Sequence, residues 1–120
     1  MELYRNATEI VLSYIKALDN GDYDTATGYL SDDIRIKGPA GESFGNPKEF
    51  VDMLTQYRGR YEMKKIFTDG EDVCLLYDLT TPVATVFMCS WYQVHDGKIA
   101  SIRTIFDSAA FGPSSTKKGD

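Results

Sequence analysis

The sequence predicts an α+β domain, in which three N-terminal helices precede an antiparallel meander of strands. Up to Gly59 the apolar residues recur every three or four positions, and after Gly59 they recur every second position. Asp69-Gly70 and Asp96-Gly97 are hairpin turn signals within the second part. The length of 120 residues fits one domain, which we place at residues 1–111, followed by a polar, disordered tail at 112–120.

The first helix is predicted from a wide apolar stripe that ends at Asn20-Gly21. Gly21 suits the left-handed conformation that follows a helix end, and Asp22 can cap a second, short helix. Asn46-Pro47 begins the third helix, since Asn is a good cap and Pro fits the first turn. The stripe of the first helix comprises Leu3, Ala7, Ile10, Val11, Tyr14, Ile15 and Leu18.

Three aspartates, Asp19, Asp22 and Asp24, surround Gly21 and suggest the start of a calcium loop. A calcium loop needs oxygen ligands at alternating positions and a carboxylate at the twelfth. Counting from Asp19 or from Asp22 does not supply enough of them. We therefore interpret these aspartates as structural parts of a helix end and a helix cap.

The strands are predicted with apolar residues on both faces of the sheet, whereas a solvated face would carry charges at every second position. The helices cover one face, and we expect a second copy of the chain to cover the other, as a homodimer. Tyr77 and Trp91 are interpreted as aromatic residues of that interface. Residues 38–45 are predicted to be a loop, and the strands are placed at 32–37, 60–68, 72–81, 83–94 and 98–107.

The bulk composition excludes several classes of protein. A formal net charge of -5 with scattered basic residues disfavours nucleic acid binding. There is no apolar run of about 18 residues and no signal-peptide pattern, so we expect a cytoplasmic protein without a membrane span. Cys74 and Cys89 are interpreted as buried free thiols, and His95 stands alone, so no metal site and no cofactor are predicted.

Three stretches, VLSYIKALDNGDYDTATGYLSDD, NPKEF and DGKIASIRTIFD, resemble the nuclear transport factor two-like superfamily over roughly residues 5–111. That superfamily includes ketosteroid isomerases, SnoaL-like polyketide cyclases and limonene epoxide hydrolases. The resemblance implies a cone-shaped roll, with three N-terminal helices packed in a curved, mainly antiparallel sheet around an apolar pocket. It also implies that even positions of the later strands line the pocket, namely Leu76, Asp78, Thr80, Met88, Ser90, Tyr92, Ile102, Thr104 and Phe106.

Two enzyme types within this resemblance lack part of their residue sets. Ketosteroid isomerase uses a carboxylate base with a tyrosine and a protonated aspartic acid. Tyr14 matches the tyrosine, but Gly38 and Ser90 stand where the two carboxyl groups belong. Limonene epoxide hydrolase uses an Asp-Arg-Asp set, of which only Asp78 is matched, because the other two positions hold Leu76 and Thr104.

Asp78 and Tyr14 remain as catalytic candidates of the SnoaL-like type. A carboxylate in an apolar pocket has a raised pKa, which suits proton transfer, and a tyrosine can hydrogen-bond a developing enolate. We predict a small-molecule pocket protein with isomerase-like or cyclase-like proton transfer on an apolar carbonyl compound. The alternative is a non-catalytic ligand-binding or dimerisation module, in which Asp78 is ion-paired and Tyr14 is a core residue.

Overall fold

The computed structural model describes residues 6–39, 41–43, 46–57, 59–107 and 109, and the α+β prediction is confirmed in these residues. The helices are α1 (Ala7–Asp19), α2 (Tyr23–Gly28) and α3 (Pro47–Thr55). The strands are β1 (Leu30–Gly38), β2 (Gly41–Ser43), β3 (Arg60–Asp69), β4 (Asp72–Thr80), β5 (Thr85–His95) and β6 (Lys98–Ile105). The predicted tail at 112–120 and the stripe residue Leu3 lie outside the described residues.

The two helix caps predicted from the sequence, at the starts of α2 and α3, are both present. Asp22 Oδ1 accepts a hydrogen bond from the backbone N–H of Thr25 at 3.4 Å, and Asn46 Oδ1 accepts one from that of Glu49 at 2.9 Å. Such caps satisfy backbone donors that have no partner inside the helix. Gly21 has a φ of +77°, so α1 ends at a residue in the left-handed region, as predicted.

The strands form one curved, unclosed sheet in the order β2-β1-β6-β5-β4-β3. Every neighbouring pair is antiparallel except β1 and β6, which run parallel. The predicted loop at 38–45 contains a strand that periodicity could not reveal, because β2 is only three residues long and pairs locally with β1. The paired residues of β1 and β2 include Lys37 with Glu42 and Gly38 with Gly41.

Asp19 joins the end of α1 to the start of β3. Its Oδ1 accepts hydrogen bonds from Arg60 Nε and from the backbone N–H of Tyr61, both at 3.1 Å. The aspartates around Gly21 therefore act within the fold: Asp19 holds β3, and Asp22 caps α2.

The helices pack against one face of the sheet, which we call the inner face. It carries the odd-numbered residues of β4 and the even-numbered residues of β5, which are buried. Val11 of α1, Val73 and Leu75 of β4 and Ile99 of β6 are completely buried there. Full burial of such a side chain contributes about 1.5–3 kcal/mol, so this layer supplies the core. We call the opposite side of the sheet the outer face.

Candidate functional site

A cavity of about 210 Å³ lies between the inner face, α1 and α3. Most of its wall is apolar, and both helices and all six strands contribute to it. Lys37, at the end of β1, is the one charged residue in the described part of the wall. The apolar lining comprises Ile15, Leu18, Ile36, Phe50, Met53, Leu54, Leu79, Met88, Ile102 and Phe106.

Hydroxyl groups from β4, β5 and β6 meet on the inner face at this cavity. Ser90 Oγ lies 2.9 Å from the Tyr77 hydroxyl and 2.9 Å from Thr104 Oγ1, so one serine connects three strands. Tyr14 of α1 and Tyr92 of β5 lie beside this chain, with ring centroids 6.2 Å apart in an edge-to-face arrangement. We call these five residues the hydroxyl cluster.

The pairing of the strands explains why these hydroxyls converge. Ser90 is opposite Thr104 in the β5–β6 register and opposite Leu75 in the β4–β5 register. Tyr77 is the inner-face residue next to Leu75 along β4, so its long side chain reaches the serine diagonally. Ser90 is only 1% exposed, and a buried hydroxyl is costly unless it is hydrogen-bonded.

The tyrosines of the cluster are held in the neutral form. Burial raises the pKa of Tyr14 and Tyr92 well above the ordinary tyrosine value, and neighbouring tyrosines raise it further. Burial also raises the pKa of Tyr77, although hydrogen bonds with Ser90 and Tyr92 oppose that rise. A neutral phenol can both donate and accept a hydrogen bond.

The described lining contains no carboxylate and no imidazole. The cluster can therefore orient an oxygen-bearing group, but it has no carboxylate or imidazole to act as a general base. Within the described residues, no three side chains of the types His, Cys, Asp and Glu come together where they could hold a metal ion. No helix in the described segments combines the length and apolar character needed to cross a membrane.

The structure brings six of the eight predicted site residues to the cavity wall: Tyr14, Met88, Ser90, Tyr92, Thr104 and Phe106. The other two, Leu76 and Asp78, lie on the outer face, so their predicted position in the pocket is wrong. In the β4–β5 ladder Leu76 is opposite Cys89 and Asp78 is opposite Phe87. The even residues of β4 thus share a face with the odd residues of β5. Thr80, which was also predicted to line the pocket, lies on the outer face as well, opposite Thr85.

Asp78 is ion-paired on the outer face. Its Oδ2 lies 3.6 Å from Lys64 Nζ, which also lies 3.3 Å from Glu62 Oε2. The bond with Glu62 is the main reason that the pKa of Lys64 is raised, and Asp78 adds to it. The catalytic role predicted for Asp78 depended on a place in the cavity, and the ion pair corresponds to the alternative interpretation of this residue.

Tyr77 is the functional candidate that the sequence interpretation misplaced, because it was assigned to the dimer interface. It is 5% exposed and lines the cavity, whereas Trp91, assigned to the same interface, lies partly exposed on the outer face. The available signal was the short turn between β4 and β5. If Thr80 pairs with Thr85 across residues 81–84, counting back along the ladder places Tyr77 opposite Met88.

Comparison with solved structures gives relatives of similar size. An NTF2-like protein of unknown function from Cytophaga hutchinsonii has a TM-score of 0.81 and 26% identity, covering 89% of this chain and 95% of that one. An LEH-like epoxide hydrolase from M. tuberculosis has a TM-score of 0.70 and 25% identity, covering 88% and 85%. A ketosteroid-isomerase-like protein from Kribbella flavida has a TM-score of 0.77 at 15% identity, covering 84% and 77%, a likeness of fold alone.

These similarities confirm the cone-shaped NTF2-like fold that the sequence resemblance implied. A comparison with curated proteins gives no significant match. The family model described as SnoaL-like domain matches residues 11–102, from the first helix to the last strand. Since that match extends over most of the chain, the protein belongs to the SnoaL-like domain family.

Proposed function

We propose that the cavity binds a small, mostly apolar molecule whose oxygen atom is hydrogen-bonded by the hydroxyl cluster. The observation that carries this proposal is the chain Tyr77–Ser90–Thr104, set in a wall that is otherwise largely apolar. A carbonyl oxygen only accepts hydrogen bonds, and neutral tyrosine and serine hydroxyls can donate them. The oxygen of a bound ketone or aldehyde could therefore accept a hydrogen bond from a hydroxyl of the cluster that faces the cavity.

The size of the cavity supports a compact ligand. Sites for drug-sized molecules occupy roughly 300–1,000 Å³, and this cavity, at about 210 Å³, is smaller. A single-ring or short-chain carbonyl compound fits that volume better than a polycyclic one. An anionic ligand head would be disfavoured at the cluster, because neutral hydroxyls do not offset the cost of burying a charge.

Binding is a better match to the cavity than proton transfer. Carbonyl isomerisation requires a base that removes a proton, and the described lining offers no carboxylate and no imidazole for that role. In the related epoxide hydrolase type, water is activated by a carboxylate, whereas the matching Asp78 is on the outer face of this protein. Ligand carriage or sensing is therefore the function we propose first.

The test compares a monocyclic ketone with the hydrocarbon of the same ring skeleton by calorimetry and by thermal shift. We expect the ketone to bind more tightly, because one net neutral hydrogen bond contributes about 0.5–1.5 kcal/mol, or roughly a 2- to 13-fold change in Kd. Ser90→Ala should remove most of that difference. Thr85→Ala serves as the matched control, since its hydroxyl pairs with Thr80 outside the cavity.

Equal affinity of the wild-type protein for ketone and hydrocarbon would contradict the role of the cluster. Turnover of the ketone, detected by exchange of its α-protons with solvent deuterium, would instead establish catalysis. Ser90→Ala should then reduce the exchange rate together with binding.

A second candidate function, dimerisation, is favoured by the outer face. Phe67 of β3, Phe87 and Trp91 of β5 and Ile105 of β6 expose 54%, 58%, 39% and 71% of their surfaces there. Exposed apolar side chains grouped in this way are typical of contact surfaces. Charges of both signs, such as Lys64, Asp78 and Arg103, surround them, so a second copy can meet the face through a two-fold axis.

A further inference from the structure

Two cysteines touch each other on the outer face. Cys74 of β4 and Cys89 of β5 are free thiols, and their sulfur atoms are 3.5 Å apart. Cys74 is directly opposite Trp91 and Cys89 is directly opposite Leu76, so the two cysteines are diagonal neighbours across the ladder. Both are partly exposed, which leaves a route for a small reagent from solvent.

We propose that Cys74 and Cys89 form a dithiol modification site, at which a low-molecular-weight disulfide of the glutathione class generates a reversible bridge between β4 and β5. In the first step one cysteine thiolate attacks the reagent, forms a mixed disulfide and releases one small thiol. In the second step the other cysteine attacks the protein sulfur of that mixed disulfide and releases the second small thiol. The two cysteines lose two hydrogens in total, and the reagent is reduced to two thiols.

The distance between the sulfurs favours the second step. A disulfide bond is about 2.05 Å long, so the sulfurs need to approach by roughly 1.5 Å from their contact at 3.5 Å. Rotation about the two Cα–Cβ bonds brings the sulfurs together. Because diagonal neighbours lie roughly 7–8 Å apart, at the upper end of what a disulfide spans, the two strands also need to draw slightly closer. A thiol already in contact has a very high effective concentration, so a mixed disulfide on one cysteine is expected to be resolved by the other.

The environment indicates a slow, conditional modification rather than a catalytic thiol. Partial burial raises the pKa of the Cys89 thiol, and the neighbouring Cys74 raises it further. Reactive catalytic cysteines have a lowered pKa, because the thiolate is the attacking species. The bridge is therefore expected to form only under sustained oxidising conditions. Its formation would alter the outer face, where Trp91 and Phe87 are exposed.

This inference is independent of the ligand cavity, since neither cysteine belongs to the described lining. It does involve the surface that we propose for dimerisation. A second copy seated on the outer face would cover both sulfurs, so the experiment uses protein dilute enough to be monomeric by sedimentation.

The test incubates the native protein with glutathione disulfide and follows its intact mass. We expect the main product to be lighter by two hydrogens and to carry no glutathione, with a peptide map that joins Cys74 to Cys89. Dithiothreitol should restore the original mass. Cys74→Ser and Cys89→Ser should each stop at one glutathione adduct, because the second thiol is missing.

Three results would overturn the proposal. One is a wild-type product that retains glutathione on either cysteine; another is a bridge between two chains on a non-reducing gel. The third is absence of any reaction while the same thiols react with a maleimide after unfolding. The wild-type measurement decides by itself if a serine variant does not fold.

Discussion

The two faces of the β4–β5 pair place opposite chemistry a few ångströms apart. On the inner face, Tyr77 and Ser90 are buried and share a hydrogen bond between neutral groups. On the outer face, Asp78 is paired with Lys64 beside the exposed Phe87. Because successive residues of a strand point to opposite sides, a one-residue error in register exchanges these two environments. Which side chains line the cavity thus depends on the pairing register of the strands more than on their amino-acid composition.

The largest difference between the faces is expected in stability. Leu75 is completely buried on the inner face, whereas its neighbour Leu76 is partly exposed on the outer face. Leu75→Ala should lower the free energy of unfolding by about 2–5 kcal/mol through lost burial and a residual cavity. Leu76→Ala should cost roughly 1 kcal/mol or less. Urea unfolding of dilute protein measures both, and equal costs would contradict the assignment of the two faces.

A substitution on the outer face should act on association. Phe87→Lys replaces an exposed aromatic side chain of the apolar surface by a charge, and we expect it to weaken dimer formation by roughly 2 kcal/mol, or about thirty-fold. Thr85→Lys adds the same charge on the same face at the first residue of β5, where we expect a smaller change. Sedimentation equilibrium provides the dissociation constants, and a wild-type protein that stays monomeric at high concentration would reject the dimer.

The tyrosines of the inner face predict a loss of stability in alkali. In the folded protein burial raises the pKa of Tyr14 and Tyr92, so both stay protonated while an unfolded chain loses these protons above about pH 10. The unfolded state then binds fewer protons, and the free energy of unfolding falls as pH rises. The slope is up to about 1.4 kcal/mol per pH unit for each such tyrosine.

Removing one phenol separates this effect from the general titration of lysines. Tyr14→Phe should make the fall in stability above about pH 10 less steep, whereas Tyr23→Phe, at an exposed position of α2, is the matched control. Urea unfolding at a series of pH values measures the slopes. Identical slopes for both variants would show that the buried phenol does not contribute.

The smallest expected effects come from adjacent residues on opposite faces. Tyr77→Phe removes one hydrogen-bond partner of Ser90 and should cost about 0.5–1.5 kcal/mol in stability, with weaker ketone binding. Asp78→Asn removes an ion pair that contributes about 0–1 kcal/mol, and ketone binding should be unchanged. Calorimetry with the same ketone compares them. Loss of ketone binding in Asp78→Asn alone would show that this carboxylate contributes to the ligand site.

Local signals in the sequence were sufficient to predict most of the fold. The caps at Asp22 and Asn46, the turn at Gly21 and the change of period after Gly59 each act within a few residues of chain. The positions of Met88, Ser90 and Thr104 at the cavity follow from alternation along β5 and β6, which pair with even residues opposite even residues.

The location of Asp78 could not be obtained from alternation alone. Alternation shows which residues of a strand share a face, but it does not show which face of the next strand they join. That relation depends on the turn, and the pairing of Thr80 with Thr85 places odd residues of β4 beside even residues of β5. The resemblance suggested one parity for all later strands, which held for β5 and β6 but not for β4.

The carboxylate of Asp19 has a further consequence for the cavity. By accepting hydrogen bonds from Arg60 and Tyr61, 41 and 42 positions later in the chain, it closes a long loop that contains α2, β1, β2 and α3. The entropic cost of closing such a loop grows only slowly with the length of the loop. The hydrogen bonds of one side chain can therefore hold the two ends together at a modest cost in free energy. Since α3 and the end of β1 contribute to the cavity wall but not to the hydroxyl cluster, Asp19→Ala should widen the motion of the wall and leave the cluster itself in place.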